Sequence, residues 1–177
     1  MNQNQKKNEQ KQSPTRLLLF FLYTIGLAAI DQATKQAAQQ MLRGKDGLTI
    51  IPGVFELQYL ENRGSAFGLM QGQKTLFITM ACLMLLVIPY LYTRIPRSRR
   101  FFYLRVIAVF FLSGAVGNAI DRIINGYVID FFYFSLIDFP IFNVADIYVT
   151  VSTFLLIVLM LFYYKDEDFE QIHLFSR

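Results

Sequence analysis

The stretch TLFITMACLMLLVIPYLYT, residues 75–93, contains nineteen consecutive uncharged residues between Lys74 and Arg94. A transmembrane α-helix needs about 20 predominantly apolar residues to cross the hydrocarbon core of a bilayer. The length of this stretch and the basic residue at each end therefore predict a membrane-spanning helix.

Three further apolar stretches surround this one. In the first, fourteen uncharged residues, 17–30, precede Asp31, so it spans a membrane only if Asp31 and Lys35 face protein instead of lipid. A cleavable signal peptide is the alternative for so short a stretch, but no relaxed segment with a small-residue cleavage site follows it. We predict an all-α polytopic membrane protein with four transmembrane helices, at about residues 17–36, 75–93, 101–121 and 141–164.

The composition agrees with a membrane protein. Hydrophobic residues make up 54% of the 177 residues, against about 45–50% in soluble domains with glycine counted in. The net charge of +4 could indicate a nucleic-acid partner, but the positive charges lie beside the apolar stretches. No basic stripe interleaved with stacking aromatic residues is present, so we expect no nucleic-acid partner.

Lysine and arginine residues predict the orientation. They are concentrated in residues 1–16, in the loop TRIPRSRR (93–100) and at Lys165. Both termini are therefore expected in the cytoplasm, and residues ~36–73 and ~122–140 outside it. We divide the chain into a disordered cytoplasmic tail (1–16), a four-helix membrane domain (17–165) and a second cytoplasmic tail (166–177).

The two outside loops carry different patterns. In LTIIPGVFELQYLENRGSAFG (48–68), β-branched and alternating residues flank Pro52-Gly53, which predicts a hairpin and a small antiparallel sheet resting on the outer membrane surface. FFYFSLIDFP (131–140) is strongly aromatic. We interpret it as a flap over substrate, with an interfacial anchor as the alternative, and expect Asp138 to be solvated.

Polar side chains gather where the predicted spans meet the outer surface. Asn118, Asp121 and Arg122 share one helix face by their spacing, and so do Asn143 and Asp146. Gly114 and Gly117 allow close helix packing. Ionisable groups inside a membrane are costly, so this cluster predicts a functional site. An ion-paired knot that only fixes helix packing is the alternative.

The residue types restrict the chemistry. Cys82 is the only cysteine and His173 the only histidine, which excludes an intrachain disulfide, Cys- or His-rich metal sites and a histidine triad. A serine–lysine pair from Ser65 with Lys74 or Lys35 has little support from its context. Carboxylate pairs remain, and two neighbouring carboxylates that share a proton are typical of aspartic proteases, which need no metal or other cofactor. Spacing alone does not decide whether Asp121 or Asp130 accompanies Asp146.

Four motifs resemble those of the lipoprotein signal peptidases (signal peptidase II), which are four-span aspartic peptidases of the bacterial cytoplasmic membrane. The motifs are DQATK (31–35), ENRGSAFG (61–68), GNAIDRIINGYVIDF (117–131) and FNVAD (142–146). Together with the topology, they cover nearly the whole chain beyond residue 16. One departure follows the last motif, where Ile147 and Ser152 replace the family's usual small polar residue and glycine.

The resemblance implies a role for each matching residue. It makes Asp130 and Asp146 the catalytic pair and Asp121 a supporting residue that pairs with Arg122 or with a neighbouring backbone amide. The other residues it implies for substrate binding or support are Asn62, Asn118, Arg122, Asn143, Asp31, Lys35 and Gly64.

The resemblance also implies the reaction and its location. The substrate is a prolipoprotein that already carries diacylglycerol on its lipobox cysteine, and cleavage before that cysteine releases the signal peptide. The expected partners are this substrate and membrane lipid, the expected protein is a monomer, and the active site faces the outer (periplasmic) side of the membrane. A proton-coupled transporter and a non-enzymatic scaffold are the competing classes, but the chain shows no internal repeat and its aspartates lie at one edge.

Overall fold

The computed structural model describes residues 14–64 and 72–172. Within them, four long helices are joined by short connections and by a small sheet. The helices are α1 (Pro14–Leu42), α2 (Lys74–Arg94), α3 (Phe102–Ile124), α4 (Val144–Phe162) and the short α5 (Asp166–Gln171); the strands are β1 (Leu48–Ile51), β2 (Phe55–Asn62) and β3 (Val128–Tyr133). Two 3₁₀ turns, Arg99–Phe101 and Ser135–Ile137, precede α3 and follow β3.

Four helical segments are long and apolar enough to cross a membrane: α1, α2, Arg99–Ile124 and α4. The prediction of four membrane-spanning helices is confirmed. Large apolar side chains such as Leu86 of α2 and Phe162 of α4 are exposed. In a membrane protein, such residues form the surface that lipid covers.

The ends of α1 differ from the prediction. The helix begins at Pro14, so the prediction of a disordered tail is wrong for residues 14–16, while residues 1–13 lie outside the described residues. Proline suits the first turn of a helix, and Arg16 Nη2 anchors this turn by donating to the carbonyl oxygens of Tyr92 at 2.8 Å and Ile95 at 2.9 Å. At the other end, good helix formers such as alanine and glutamine carry the helix on to Leu42.

The second predicted tail, residues 166–177, contains α5. Arg100 holds this helix against the start of α3, since its Nη2 lies 2.7 Å from Asp168 Oδ2. Arg100 also donates to the carbonyl oxygen of Tyr163, and the Tyr164 hydroxyl donates to the carbonyl oxygen of Arg100 at 3.1 Å. Residues 173–177 lie outside the described residues.

Small residues bring α3 close to its neighbours. A side chain at Gly114 would collide with the carbonyl oxygen of Ala145 and with Val149 on α4. A side chain at Gly117 would collide with the carboxylate of Asp31 on α1. The predicted close approach of the third span is therefore present, and it brings the polar end of α3 against both α1 and α4.

The sheet has the order β1-β2-β3 and is antiparallel throughout. The predicted hairpin is confirmed as β1–β2, and Gly53 provides the positive φ that its turn requires. The strand β3 was not predicted, and it contains the first three residues of the segment interpreted as a flap, 131–133. Its pairing with β2 sets Asn62 opposite Val128 and Leu60 opposite Asp130.

The connection from β3 to α4 is closed at its base. Phe132 and Phe142 exchange backbone hydrogen bonds of 2.8 and 3.0 Å, so residues 133–141 form a loop between them. Asp138 in this loop is exposed, as predicted, and accepts a hydrogen bond from the Tyr133 hydroxyl at 2.7 Å. The N-cap Asn143 is extended, so α4 begins at Val144, three residues later than the predicted start of the fourth span.

Candidate active site

The carboxylate of Asp130 is buried at the third position of β3, with 1% of the residue exposed. The pairing of β2 with β3 brings Asn62 beside it, and Asn62 Nδ2 donates to Asp130 Oδ2 at 2.8 Å. Asn143 Nδ2 donates to Asp130 Oδ1 at 2.6 Å. Both oxygens of this carboxylate therefore accept a hydrogen bond from an asparagine amide.

The carboxylate of Asp146 lies in the first turn of α4. Asn143 caps this helix, and its Oδ1 accepts from the Asp146 backbone amide at 2.9 Å. In return, Asp146 Oδ2 accepts from the Asn143 backbone amide at 3.1 Å, which completes a capping box. Asn118 Nδ2 on α3 donates to Asp146 Oδ1 at 2.7 Å. Asn143 thus contacts both Asp130 and Asp146.

Burial and charge change the proton affinity of Asp130. Burial disfavours the ionised carboxylate, and the negative charge of nearby Asp146 acts in the same direction, so the pKa of Asp130 is raised from 3.8 to about 7. The hydrogen bonds from Asn62 and Asn143 oppose this rise, since they stabilise the ionised form. Asp130 therefore retains its proton up to neutral pH, where an ordinary aspartate has lost it.

A second group of charges lies directly behind these residues. Lys35 Nζ is 2.9 Å from Asp31 Oδ2 and 3.0 Å from Asp121 Oδ2, and all three side chains are buried. The same Nζ donates to Asn118 Oδ1 at 3.0 Å. This contact directs the Asn118 amide nitrogen toward Asp146. The lysine therefore joins the buried ion pairs to the hydrogen bonds around the aspartates.

The two carboxylates that flank Lys35 also bind backbone amides. Asp31 Oδ1 accepts from the amide of Ala145 at 2.8 Å, and Asp121 Oδ2 accepts from the amide of Ile129 at 3.1 Å. The expected contact of Asp121 with a neighbouring backbone amide is present, whereas the alternative ion pair with Arg122 is not. These bonds connect α1 to α4 and α3 to β3, so the ion pairs fix the elements that carry Asp130 and Asp146.

Arg122 holds the segment that follows β2. Its Nη2 donates to the carbonyl oxygen of Gly64 at 2.8 Å, and its guanidinium lies 4.3 Å from the ring centroid of Phe77 on α2. The amide of Gly64 in turn donates to Asn62 Oδ1 at 2.9 Å, which orients the amide that binds Asp130. Residues 65–71, including Ser65 and the rest of the second motif, lie outside the described residues.

A cavity of about 460 Å³ opens beside the two aspartates. Five polar side chains line one part of it: Asn62, Asn118, Arg122, Asp130 and Asp146. The rest is mainly apolar and is formed by α4 and by the loop before it; the lining residues there include Phe139, Pro140, Ile141, Phe142, Ile147 and Val151. The cavity therefore combines a polar region suited to a peptide bond with an apolar wall.

Among residues 14–64 and 72–172, no three His, Cys, Asp or Glu side chains converge in a way that could hold a metal ion. Between Asp31 and Asp121, the position that a cation would occupy is taken by the ammonium group of Lys35.

Comparison with known proteins identifies the family. Residues 23–162 match the family model for signal peptidase (SPase) II. The chain belongs to the signal peptidase II family. Similar proteins named lipoprotein signal peptidase occur in Symbiobacterium thermophilum (43% identity over 78% of this chain and 91% of the relative), Clostridioides difficile (38%, 82% and 97%) and Streptococcus thermophilus (36%, 81% and 91%).

Two solved structures share the overall fold of this chain. Two structures of bacterial membrane enzymes resemble the chain with TM-scores of 0.71 and 0.69 and sequence identities of 28% and 27%. The first likeness covers 81% of this chain and 87% of the other, and the second covers 82% and 94%. The overall fold of this chain is therefore also found in solved bacterial membrane enzymes.

In this signal peptidase II chain, the ten residues predicted for the site form one continuous network. Three asparagines contact the two aspartates, Lys35 pairs with two further carboxylates, and Arg122 binds Gly64. The members, in chain order, are Asp31, Lys35, Asn62, Gly64, Asn118, Asp121, Arg122, Asp130, Asn143 and Asp146.

One further member, Gln32, was not predicted. Its Nε2 lies 3.0 Å from Asp121 Oδ1, 3.1 Å from the carbonyl oxygen of Gly117 and 3.3 Å from Asp31 Oδ2. It therefore contacts both of the carboxylates that pair with Lys35. The signal was its position beside Asp31 in the motif DQATK, where a polar amide faces protein at the same depth as the buried charges.

Proposed function

We propose that this signal peptidase II is an aspartic endopeptidase that removes the signal peptide from prolipoproteins. The bond cleaved is the one before the diacylglyceryl-modified cysteine of the substrate. The observation that carries the proposal is the pair Asp130 and Asp146, which share Asn143 and line one cavity. The names of the relatives support the substrate class.

The chemistry follows from one proton shared by two carboxylates. Asp130 carries this proton below about pH 7, because its pKa is raised to about 7. Asp146 accepts a proton from the attacking water, and Asp130 donates its own to the carbonyl oxygen of the scissile amide. After this step the two aspartates have exchanged roles, so breakdown of the tetrahedral intermediate can return the proton to the leaving amine.

The supporting residues keep this pair in place. Asn62 and Asn143 bind the oxygens of Asp130, while Asn118 binds Asp146 and is itself oriented by Lys35. Side chains held by such contacts need little reorganisation during the reaction. Arg122 lines the cavity without bonding to either aspartate, so it is available to bind a substrate carbonyl.

The cavity suits a substrate that is itself a membrane helix. Its apolar wall contains Ile147 and Val151 of α4, so it continues along a membrane-spanning segment. A signal peptide and acyl chains can remain in the bilayer while the scissile bond reaches the aspartates. Phe139, Pro140 and Ile141 also line the cavity, which supports a covering role for the loop of residues 133–141.

We place this site at the outer face of the bacterial cytoplasmic membrane. The aspartates lie at the end of α3 away from the loop of residues 95–98, which is flanked by Arg94 and Arg99. Since basic loops remain in the cytoplasm, the aspartates face the opposite side.

The test uses the full chain in detergent with a diacylated prolipoprotein, and mass spectrometry follows loss of the signal peptide. Asp130→Asn and Asp146→Asn are expected to lower the cleavage rate by about 10²–10⁴-fold, the usual contribution of an acid or base. Asp138→Asn is the matched control, because Asp138 is exposed on the loop that leads to the site.

Three other outcomes of this experiment would contradict the proposal, each in a different way. If Asp130→Asn kept full activity while Asp121→Asn lost it, the catalytic partner of Asp146 would be Asp121 and not Asp130. Unchanged cleavage in both Asp130→Asn and Asp146→Asn would refute an aspartic mechanism. If the folded parent cleaves nothing but moves protons across vesicle membranes, the transporter class replaces the peptidase.

A further inference from the structure

A second cavity, of about 340 Å³, lies at the end of the helix bundle away from the aspartates. We call it the arginine pocket and define it by its five lining residues: Arg99, Phe102, Tyr103, Arg105 and Tyr163. They come from the start of α3, the 3₁₀ turn before it and the residue after α4. The pocket is thus built where two membrane-spanning segments end.

The positive charge of this pocket is not neutralised by described parts of the protein. Within residues 14–64 and 72–172, neither Arg99 nor Arg105 lies within ion-pair distance of a carboxylate, whereas Arg100 between them is paired with Asp168. The first turn of α3 contains no acidic residue and no side-chain cap, so the helix dipole adds positive potential there.

Arg105 is fixed but retains free donors. Its Nη1 donates to the carbonyl oxygens of Pro96 at 2.6 Å and Ser98 at 3.2 Å. Its Nε and Nη2 have no acceptor among the described residues. The guanidinium of Arg16 is close enough to that of Arg105 for the two positive charges to repel each other. An anion bound here would therefore meet a guanidinium whose position is already set and would reduce the repulsion between two arginines.

The aromatic part of the pocket points to a lipid. Phe102 and Tyr103 are 53% and 51% exposed, and the ring of Tyr103 meets that of Tyr163 edge to face at 5.8 Å. Aromatic side chains at the ends of membrane helices lie at headgroup level. Rings that flank two arginines can contact the glycerol and upper acyl region of a lipid, whereas a free phosphate ion has no apolar part to contact them.

We propose that the arginine pocket binds the phosphodiester headgroup of an anionic membrane phospholipid. Guanidinium groups match phosphate oxygens in a bidentate arrangement. Basic pockets between membrane helices on the cytoplasmic side are suited to such headgroups. This site is separate from the aspartates and plays no part in peptide cleavage.

The experiment titrates the purified full chain in detergent with phosphatidylglycerol and measures bound lipid by native mass spectrometry. Phosphatidylcholine with the same acyl chains serves as the zwitterionic comparison. Arg99→Gln is expected to weaken the binding of the first phosphatidylglycerol molecule by about tenfold, which is the effect of losing one charge-assisted hydrogen bond. Arg105→Gln is expected to do the same, although it also removes the two bonds to the 95–98 loop.

Arg97→Gln is the matched control, because Arg97 is exposed on the same loop and does not line the pocket. If Arg97→Gln and Arg99→Gln weakened phosphatidylglycerol binding equally, the loss would follow from net charge alone and the proposal would be overturned. Equal affinity for phosphatidylcholine would also overturn it. Inorganic phosphate is added as a competitor, and displacement of the lipid by millimolar phosphate would make this an ion site instead of a lipid site.

Discussion

Asp130 has a proton affinity that should control the pH dependence of cleavage. Its pKa is raised to about 7, mainly by burial and then by the charge of Asp146. Below this value the pair has its shared proton; as the pH rises through it, Asp130 ionises and no acid remains to protonate the carbonyl oxygen of the scissile amide. Single-turnover cleavage should therefore fall about tenfold per pH unit above about pH 7.

Asn62 provides a way to shift this profile. Its hydrogen bond stabilises the ionised form of Asp130 and so lowers the pKa. Asn62→Leu should therefore move the alkaline limb of the rate profile to higher pH, whereas Asp138→Asn should leave the limb unchanged. A rate that stays constant from about pH 6 to pH 9 in the parent would contradict the assignment of Asp130 as the acid.

Among the single residues considered, Lys35 is expected to contribute most to the stability of the fold. It is buried between Asp31 and Asp121, so Lys35→Met would leave two carboxylates without a cation. Breaking a buried ion pair by removing one partner costs about 3–5 kcal/mol. The measurement is the thermal unfolding temperature in detergent, with Lys45→Met as the control because Lys45 is exposed.

A triple variant separates charge from packing at the same site. Adding Asp31→Asn and Asp121→Asn to Lys35→Met removes the unpaired charges, so much of the lost stability should return. Cleavage should stay low in this variant, because Asn118 loses the donor that orients it toward Asp146. An unfolding temperature of Lys35→Met equal to that of the parent would contradict the structural role of Lys35.

Among the elements, α3 depends on glycine for its position. Gly114→Ala would place a methyl group against the backbone of Ala145 and the side chain of Val149, and relief of such overpacking typically costs about 1–3 kcal/mol. The shift would separate α3 from α4 and lengthen the bond from Asn118 to Asp146. Both the unfolding temperature and the cleavage rate of this variant should therefore fall.

Gly26→Ala is the control for Gly114→Ala. Gly26 lies within α1 and has no heavy atom near the position of an added side chain. Alanine favours helices over glycine by about 1 kcal/mol, so this variant should be as stable as the parent or slightly more stable. If Gly114→Ala behaved like Gly26→Ala, the packing of α3 on α4 would not depend on the glycine.

The long helices could be predicted from sequence because hydrophobic length is a local property, whereas β3 could not. Its residues, VIDFFY, lie in an aromatic segment and become a strand by pairing with β2, which is distant in the chain. The polar cluster was predictable, since it requires only that span ends meet at one depth. The contact of Asn62 with Asp130 depends on the β2–β3 pairing, so spacing alone did not distinguish Asp130 from Asp121.

At the scale of the whole molecule, charge is distributed unequally between the two ends of the bundle. At the end with the aspartates, Arg43 and Arg63 lie 3.1 and 3.7 Å from carboxylate oxygens of Glu61. At the other end, only Arg100 among the arginines of the described 94–105 segment has a carboxylate partner. This asymmetry predicts that the arginine end lies on the cytoplasmic side, where anionic headgroups would neutralise its charge.

The orientation can be tested by cysteine labelling in intact cells. In a Cys82→Ser background, which removes the only native cysteine, Asp138→Cys should react with a membrane-impermeant maleimide added outside. Arg97→Cys should react only after the membrane is opened, because Arg97 is exposed in the loop between α2 and α3. Both variants should label equally in detergent, which controls for thiol reactivity. Labelling of Arg97→Cys in intact cells, with protection of Asp138→Cys, would invert the topology and put the aspartates on the cytoplasmic side.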